Sequence, residues 1–248
     1  MARDDWSKTE TDPMTEPDND VKLSVVVPAY NEQDSIAGTM QMITDGVGDC
    51  TGLQVVLVND GSTDSTLQCM RTITGGSAAR VDIVDRNVNG GMGQALSSGL
   101  AAARGDVITW IPGDGEYDIG EVLAGVALLD SFDIVLVRRV ARGNLGRNLL
   151  SSSMYVLIRL LFRFDARRYC GIFVVSSQRW HELRVTSADV FFTLEVALRA
   201  RHNDWRIGYI EAEWRPRRAG RSKVFNLRTV ARNLGELLMF RVRLWRGA

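Results

Sequence analysis

The chain reads as an α/β protein with a mostly parallel sheet flanked by helices, and three observations predict it. Apolar runs of strand length alternate with helical stretches from Lys22 to Arg139. The runs are continuous rather than alternating, the mark of strands buried on both faces, which parallel sheets provide. Most of them end in polar, turn-forming groups: Tyr30-Asn31-Glu32, Asn59-Asp60-Gly61-Ser62, Asp114-Gly115-Glu116 and Arg138-Arg139. In open parallel sheets ligands bind outside the carboxyl ends of the strands, so these groups converge on one candidate site.

The elements follow in order. Residues 1–20 lack apolar periodicity and read as a disordered acidic tail. "LSVVVPAY" is a buried strand ending at Pro28, and "QDSIAGTMQMITDGV" a helix. "LQVVLVNDGS" and "TDSTLQCMRTIT" repeat the strand–helix pair. "VDIVDR" is a third strand, and "GGMGQALSSGLAAARG" a helix that Gly105 closes. "DVITWIPGDG" is a fourth strand, "DIGEVLAGVALLD" a helix and "DIVLVRR" a fifth strand. The pattern then changes to a long amphipathic segment, spanning 145–165, in "NLGRNLLSSSMYVLIRLLFRF". A strand "YCGIFVVS", a helix "VFFTLEVALRARHND", a strand "WRIGYIEAEW" and a basic loop "RPRRAGRSK" come next. One main domain over 21–224 is expected, then a basic amphipathic helix over 225–248.

Charge balances at 30 basic against 30 acidic residues but is unevenly placed. The acids concentrate in the first twenty residues. From Arg215 onward Arg217, Arg218, Arg221, Lys223, Arg228, Arg232, Arg241, Arg243 and Arg246 face Glu236 almost alone. Such asymmetry points to an anionic partner at the C-terminal end. No nucleic-acid-binding module accompanies these arginines, so nucleic acid is not expected. Cys50, Cys69 and Cys170 have no metal or redox spacing, which suits a reducing compartment. The acidic N-terminus lacks the character of a signal peptide, and no uncharged apolar run reaches the roughly 18 residues that span a bilayer. The expected location is cytoplasmic, at most resting on a membrane surface.

Several strand ends carry candidate chemistry. Pro28 fixes the backbone ahead of Tyr30 and Glu32, which suit the flanks of a base and ribose. Asp60 suits a hydrogen bond from a base N–H or a ribose hydroxyl. It equally suits, with Ser62, the turn and cap of the next helix. Asp114 and Glu116, two apart on a glycine turn, offer hard oxygens for Mg²⁺ or Mn²⁺ bridging a diphosphate. They equally suit an acidic turn capping "DIGEVL". "GGMGQA" faintly suggests a dinucleotide fingerprint, but Leu96 stands at the third glycine position and the motif follows the third strand rather than the first.

"VVVPAYNEQDSI", "VLVNDGSTDST", "NGGMGQALSSGLAAARGD" and Asp114 together resemble a family 2 glycosyltransferase. Its fold is GT-A, the Rossmann-like nucleotide-diphospho-sugar transferase architecture. "YCGIFVVS", "FFTLEVALRA", "WRIGYIEAEW" and "RRAGRSK" resemble the polyprenyl-phosphate branch, of the dolichyl-phosphate mannose synthase kind. The resemblance covers roughly Leu23 to Val224. It implies that Pro28, Tyr30, Glu32, Asp60, Gly113 and Ser222 hold the nucleotide. It implies that Asp114 binds the metal, with Glu116 where the family has a metal-contacting Gln. Arg139 and Arg147 match arginines that contact phosphate or acceptor, and Arg217, Ser222 and Lys223 match a loop that closes on the diphosphate. The chain departs from the family at Pro112, which replaces the first Asp of the usual Asp-x-Asp. Glu116 restores that charge in a shifted place.

The resemblance implies transfer of a sugar, with inversion, from a UDP- or GDP-linked donor. A lipid phosphate acceptor, undecaprenyl or dolichyl, needs no general base, because it is already anionic. A soluble hydroxyl acceptor needs one, and Asp189 or Glu195 in "SADVFFTLE" are the candidates, though Glu195 equally suits a carboxylate that orients neighbouring loop residues. A nucleotide-sugar binding protein without catalysis is a third reading. "LRTVARNLGELLMFRVRLWRGA" and the 145–165 segment pair apolar faces with arginines, which suits either an interfacial helix or a core-packed one.

Overall fold

The computed structural model describes residues 20–48, 52–73, 79–140, 149–187, 191–215, 235 and 237–244, with side chains omitted for 149–154. Their strands form one seven-stranded sheet in the order β3-β2-β1-β4-β6-β5-β7. The strands are β1 (Leu23–Ala29), β2 (Leu53–Asp60), β3 (Arg80–Arg86), β4 (Val107–Trp110), β5 (Ile134–Arg139), β6 (Tyr169–Ser176) and β7 (Ile207–Ala212). The helices are α1 (Ile36–Val47), α2 (Thr66–Ile73), α3 (Met92–Ala102), α4 (Ile119–Leu123), α5 (Leu149–Phe162), α6 (Ser177–Leu183) and α7 (Phe192–His202). Residues 237–244 are helical as well.

Every residue of β1 and β2 is buried, as the continuous apolar runs require, and edge strand β3 is only half-buried. Helix α1 turns Ile36, Thr39, Met40 and Ile43 inward, the spacing of one helical face. Helix α3 packs on β1 and β2. The chain winds outward from β1 to β3, then returns through α3 to place β4 on the other side of β1. The boundary between β1 and β4 is therefore the switch point of the sheet, where open α/β folds bind ligands.

The structure adds three features to the sequence reading. Strand β6 runs antiparallel to both β4 and β5, so its first residue, Tyr169, lies opposite Arg138 at the carboxyl edge of the parallel strands. The helix expected in "DIGEVLAGVALLD" is instead short α4 followed by a 3-10 turn, Val126–Asp130. The break falls at Gly125, where an added Cβ would stand 3.1–3.2 Å from Val174, Val122 and Val135, so the chain there hugs the sheet too closely for a side chain. Helix α6 was not anticipated. The Ser176 side chain caps it by accepting from Arg179 N, the one local signal that pointed there.

Leu237, Phe240 and Leu244 join the main core. Phe240 stacks on Phe162 at 5.9 Å and meets Phe191 edge-on at 5.6 Å. The opposite face of the same helix leaves Leu238, Met239 and Val242 exposed, and α5 exposes Val156 and Leu160. The two helices are thus core-packed on one side and apolar on the other. No helix among the described residues is long and apolar enough to cross a membrane.

Candidate active site

Beyond the Val26–Trp110 pair, β1 and β4 stay linked by N–H groups from one side only: Ile111 N donates to Val26 O (3.0 Å) and Gly113 N to Pro28 O (3.1 Å). Pro28 has no N–H to return, so the two strands part where Tyr30 and Asp114 emerge. The same register explains why Pro112 is tolerated. Residues 111 and 113 are the ones whose N–H groups face β1, and residue 112 gives none to that ladder. Pro112 therefore replaces a carboxylate without disturbing the strand end.

Loops fix the β1–β2 side of the site. Asn31 sits at φ +56°, a left-handed conformation that Asn tolerates better than most residues. Its N–H donates to Ser62 Oγ (3.0 Å), and its Oδ1 accepts from Thr63 N (2.8 Å). Glu32 N donates to Thr66 Oγ1 (2.8 Å), Ser65 N to Gln33 Oε1 (3.0 Å). The loop after β1 is thus sewn to the loop after β2. The Glu32 carboxylate accepts from Ser35 Oγ at 2.6 Å, and Tyr30 lies half-buried beside it.

Asp60 is buried, and its carboxylate takes Arg86 Nε at 2.9 Å and the N–H groups of Gly90 and Gly91 at 3.0 and 2.8 Å. This is what "GGMGQA" does: the glycine loop at the start of α3 cradles a carboxylate of the chain itself, an anion at a helix N-terminus. Gly91 holds φ +82°, so glycine is needed there. Asp60 neither caps α2 nor stands alone. It ties β2, β3 and the glycine loop together at the carboxyl edge of the sheet. Arg86, Asn31 and the zipped loops escaped the sequence reading, because their partners lie about 30 residues apart.

Asp114 is buried and accepts from Glu116 N at 3.1 Å, while Thr39 Oγ1 of α1 donates to Gly113 O at 2.9 Å. The turn is therefore buttressed by α1 and folded around its own aspartate. Glu116 is half-buried next to it, and Asp118 caps α4 by accepting from Gly120 N at 2.8 Å. Two carboxylates so placed suit Mg²⁺ or Mn²⁺, which take one or two protein carboxylates plus substrate phosphate. Among the described residues no cluster of three or more His, Cys, Asp or Glu could hold a metal without such help.

The other side of the cleft belongs to β5 and β6. Arg139 donates from Nε (3.4 Å) and from a terminal guanidinium nitrogen (3.2 Å) to the hydroxyl of buried Tyr117, and its guanidinium lies 5.3 Å from the Trp214 ring. Burial pushes the Tyr117 phenol well above its ordinary value, so it stays neutral. Among the described residues Arg139 has a phenol and an indole as partners and no carboxylate. Cys170, at the start of β6, lies against both Arg139 and Tyr117, and burial pushes its thiol up. A cavity of about 320 Å³ opens on the far side of Cys170, lined among others by Tyr155, Ile158, Tyr169, Phe191 and Leu237. Tyr117 and Trp214 are site residues that no motif indicated.

Glu195 is fully buried, and its carboxylate accepts from Ser187 N (2.8 Å), Thr186 N and Oγ1 (3.1 Å each) and Arg199 Nε (2.5 Å). Burial acts to raise its pKa, but hydrogen bonds from Ser187, Arg199 and Thr186 outweigh it and hold the carboxyl below its ordinary value. A carboxylate so occupied orients its loop and is a poor proton acceptor. His181 and His202 are exposed surface positions. Arg147, Asp189, Arg217, Ser222 and Lys223 lie outside the described residues.

Residues 24–191 match Glycosyl transferase family 2. An uncharacterized glycosyltransferase of Mycobacterium tuberculosis is 27% identical over 207 residues, 82% of this chain and 89% of that protein. The dodecaprenyl-phosphate galacturonate synthase of Rhizobium johnstonii is 30% identical over 49% of this chain, which spans 36% of that protein. The undecaprenyl-phosphate 4-deoxy-4-formamido-L-arabinose transferase of Salmonella paratyphi B is 30% identical over 56% of this chain and 43% of its own length. Glucosyl-3-phosphoglycerate synthase of Mycobacterium tuberculosis, solved with Mn²⁺, UDP and glucosyl-3-phosphoglycerate, superposes with a TM-score of 0.66 at 20% identity, covering 89% of this chain and 80% of that one. The switch-point cleft, the zipped donor loops and the carboxylate turn at the end of β4 accord with these likenesses: the chain belongs to glycosyl transferase family 2 and is a glycosyltransferase of GT-A fold.

Proposed function

We propose that the enzyme transfers a sugar from a nucleoside diphosphate sugar to a polyprenyl phosphate, with inversion, at the cytoplasmic face of a membrane. The observation that carries this reading is Arg139. Its charge meets only neutral partners among the described residues, and an apolar cavity opens just beyond Cys170. A cation uncompensated by carboxylate next to an apolar recess suits a phosphate on a hydrocarbon chain. The likeness to transferases named for dodecaprenyl and undecaprenyl phosphate supports it. So do the exposed apolar residues of α5 and 237–244, which suit a peripheral position on a bilayer.

In this reading Pro28, Tyr30, Glu32, Gly113 and Ser222 hold the nucleotide, while Asp60, expected from the sequence to join them, has its carboxylate filled by Arg86, Gly90 and Gly91 and shapes the edge beside them. Asp114 and Glu116 hold Mg²⁺ or Mn²⁺, which when bound neutralises the diphosphate as a Lewis acid. Arg217 and Lys223 close on the same diphosphate. Arg139 and Arg147 place the acceptor phosphate oxygen beside the anomeric carbon. The lipid phosphate is anionic at neutral pH, so attack needs positioning and no proton acceptor. The occupied state of Glu195 fits that mechanism and weakens the alternative with a soluble hydroxyl acceptor.

The test supplies purified protein and Mn²⁺ or Mg²⁺ with a panel of labelled UDP- and GDP-sugars and a short polyprenyl phosphate. Label extracted into organic solvent, and lost with Asp114→Ala, is the expected result. Label appearing only in water-soluble product, or no transfer despite bound donor, would overturn the lipid acceptor.

A further inference from the structure

What an arginine can do for a phosphate depends on how its own guanidinium is held. Arg139 is the last residue of β5 and is exposed. Its Nε donates to the Tyr117 hydroxyl oxygen at 3.4 Å and its Nη2 to the same oxygen at 3.2 Å. Nη1 has no hydrogen-bond partner among the described residues. Tyr117 is the opposite kind of residue: its ring belongs to the main core, and it directly follows Glu116 in the carboxylate turn. Its hydroxyl also meets the thiol of Cys170 on β6. That thiol donates to Val137 O at 3.2 Å, two residues before Arg139 on β5. The hydroxyl is therefore fixed from three directions, by the turn, by β6 and through Cys170 by β5.

A buried phenol needs a polar partner, and a core tyrosine satisfied by a passing arginine would account for the contact alone. Two features go further. Nε and Nη2 form one edge of the planar guanidinium, so a single oxygen fixes that edge and leaves Nη1 for a ligand. An arginine not held in this way keeps many rotamers and loses them at each binding event. The second feature is that the holder is neutral. A carboxylate in its place would grip the guanidinium more firmly, but it would cancel the charge and compete with an incoming phosphate. A phenol orients the cation and leaves the charge available.

We infer that Tyr117 is a positioning residue for the acceptor: its hydroxyl sets the Arg139 guanidinium in place with its charge intact, and the acceptor phosphate meets the nitrogen left open. The inference rests on the reading of Arg139 as the acceptor contact. It assigns no contact between Tyr117 and substrate. Because Tyr117 follows Glu116 directly, one stretch of chain sets both the carboxylate turn and the arginine across from it.

The test is Tyr117→Phe, which removes the hydroxyl and keeps the ring. With a short polyprenyl phosphate as acceptor, kcat/KM should fall about tenfold, the scale of ordering one arginine side chain anew. The loss should appear in KM, with kcat within about twofold, because the arginine is disordered before the acceptor arrives. Calorimetric affinity for UDP and GDP in Mn²⁺ should stay within about twofold of wild type. In an Arg139→Met background the same change should alter kcat/KM less than about twofold, since the hydroxyl acts only through the arginine. A tyrosine that merely fills the core would lower the unfolding midpoint without separating acceptor from donor, and its effect would be the same in both backgrounds. Tyr117→Met, which also lacks the hydroxyl, gives the same reading if Tyr117→Phe does not fold. Unchanged kcat/KM in a folded variant, or an equal loss in the Arg139→Met background, would overturn the positioning role and leave the acceptor reading standing. A wild-type protein that takes no polyprenyl phosphate at all would end the acceptor reading, and the role of Tyr117 with it.

Discussion

The two halves of the cleft are held by different forces. The half proposed to take the donor, β1 to β4, is fixed by short hydrogen bonds between neighbouring loops and by a buried carboxylate, Asp60, in a ring of N–H donors. The half proposed to take the acceptor, β5 to β7, adds to its hydrogen bonds two arginines lying on aromatic rings. Arg138 lies 3.5 Å from the Tyr209 ring centre, and Arg139 5.3 Å from that of Trp214. Directional hydrogen bonds specify one geometry. A guanidinium sliding on a ring tolerates several, at about 0.5–1 kcal/mol per exposed contact. The difference suits a donor side that always meets the same nucleotide diphosphate and an acceptor side that adapts to a bulkier partner.

The comparison can be broken first at Asp114, which serves the donor half through its strand end. Asp114→Asn should lower transfer by about a thousandfold, the scale of losing a key electrostatic contact to a developing charge, with weaker nucleotide binding in Mn²⁺. Initial rates and nucleotide calorimetry on the same preparation check it. Equal activity would remove Asp114 from the site.

Glu195 separates folding from chemistry. Glu195→Gln strands Arg199 in a mostly buried setting and should cost about 3 kcal/mol in denaturant unfolding, with transfer by the remaining folded protein nearly unchanged. The folded pKa is depressed, so this stability is present above the ordinary carboxylate pKa of 4.5 and is lost as pH falls through the folded value. Glu195→Gln should flatten that acid limb. A large loss of turnover in fully folded variant would restore Glu195 as a base.

Arg139 tests whether the halves are independent. Arg139→Met should reduce kcat/KM for a polyprenyl phosphate by about a hundredfold, as for a charge-assisted phosphate contact, while UDP or GDP affinity stays within about twofold. Loss of both would show that residues 213–215, whose N–H groups reach Glu116 and Glu121 and whose Trp214 lies by Arg139, couple the walls strongly. The smallest effect is expected at Asp133. Hydrogen bonds from Arg206, with Arg179 nearby, lower its carboxyl pKa to about 2. Its contribution is present above about 3.8 and is lost as pH falls through about 2. Arg206 is 62% exposed, so Asp133→Asn should cost only about 1 kcal/mol and leave transfer untouched.

Residue order along the chain made the donor half legible. Strand burial on both faces writes itself as continuous apolar runs, and strand ends write themselves as polar turns, so β1 to β4 with Asp60 and Asp114 were visible as local pattern, as were β5 and Arg139 of the other half. The reversed direction of β6 was not, because an apolar run carries no sign of which way its strand lies. Nor were the partners that fill Asp60, and for Glu195 the sequence left a loop-orienting role and a catalytic one equally open. A carboxylate reads the same in sequence whether it waits for a ligand or is filled by the chain's own N–H groups.

By itself, then, the sequence determined the fold class, the family and the set of charged residues brought to the carboxyl edge of the sheet, because periodicity and strand-end chemistry are local. Only the tertiary structure decided which of those charges are spent within the fold and which face neutral partners. It set Asp60 against Arg86 and Gly91, Glu195 against Arg199, Arg215 against Asp118, and Arg139 against Tyr117 and Trp214. The reason is distance: apart from Glu195 and Arg199, these partners stand more than twenty residues apart, and packing alone brings them within hydrogen-bond reach.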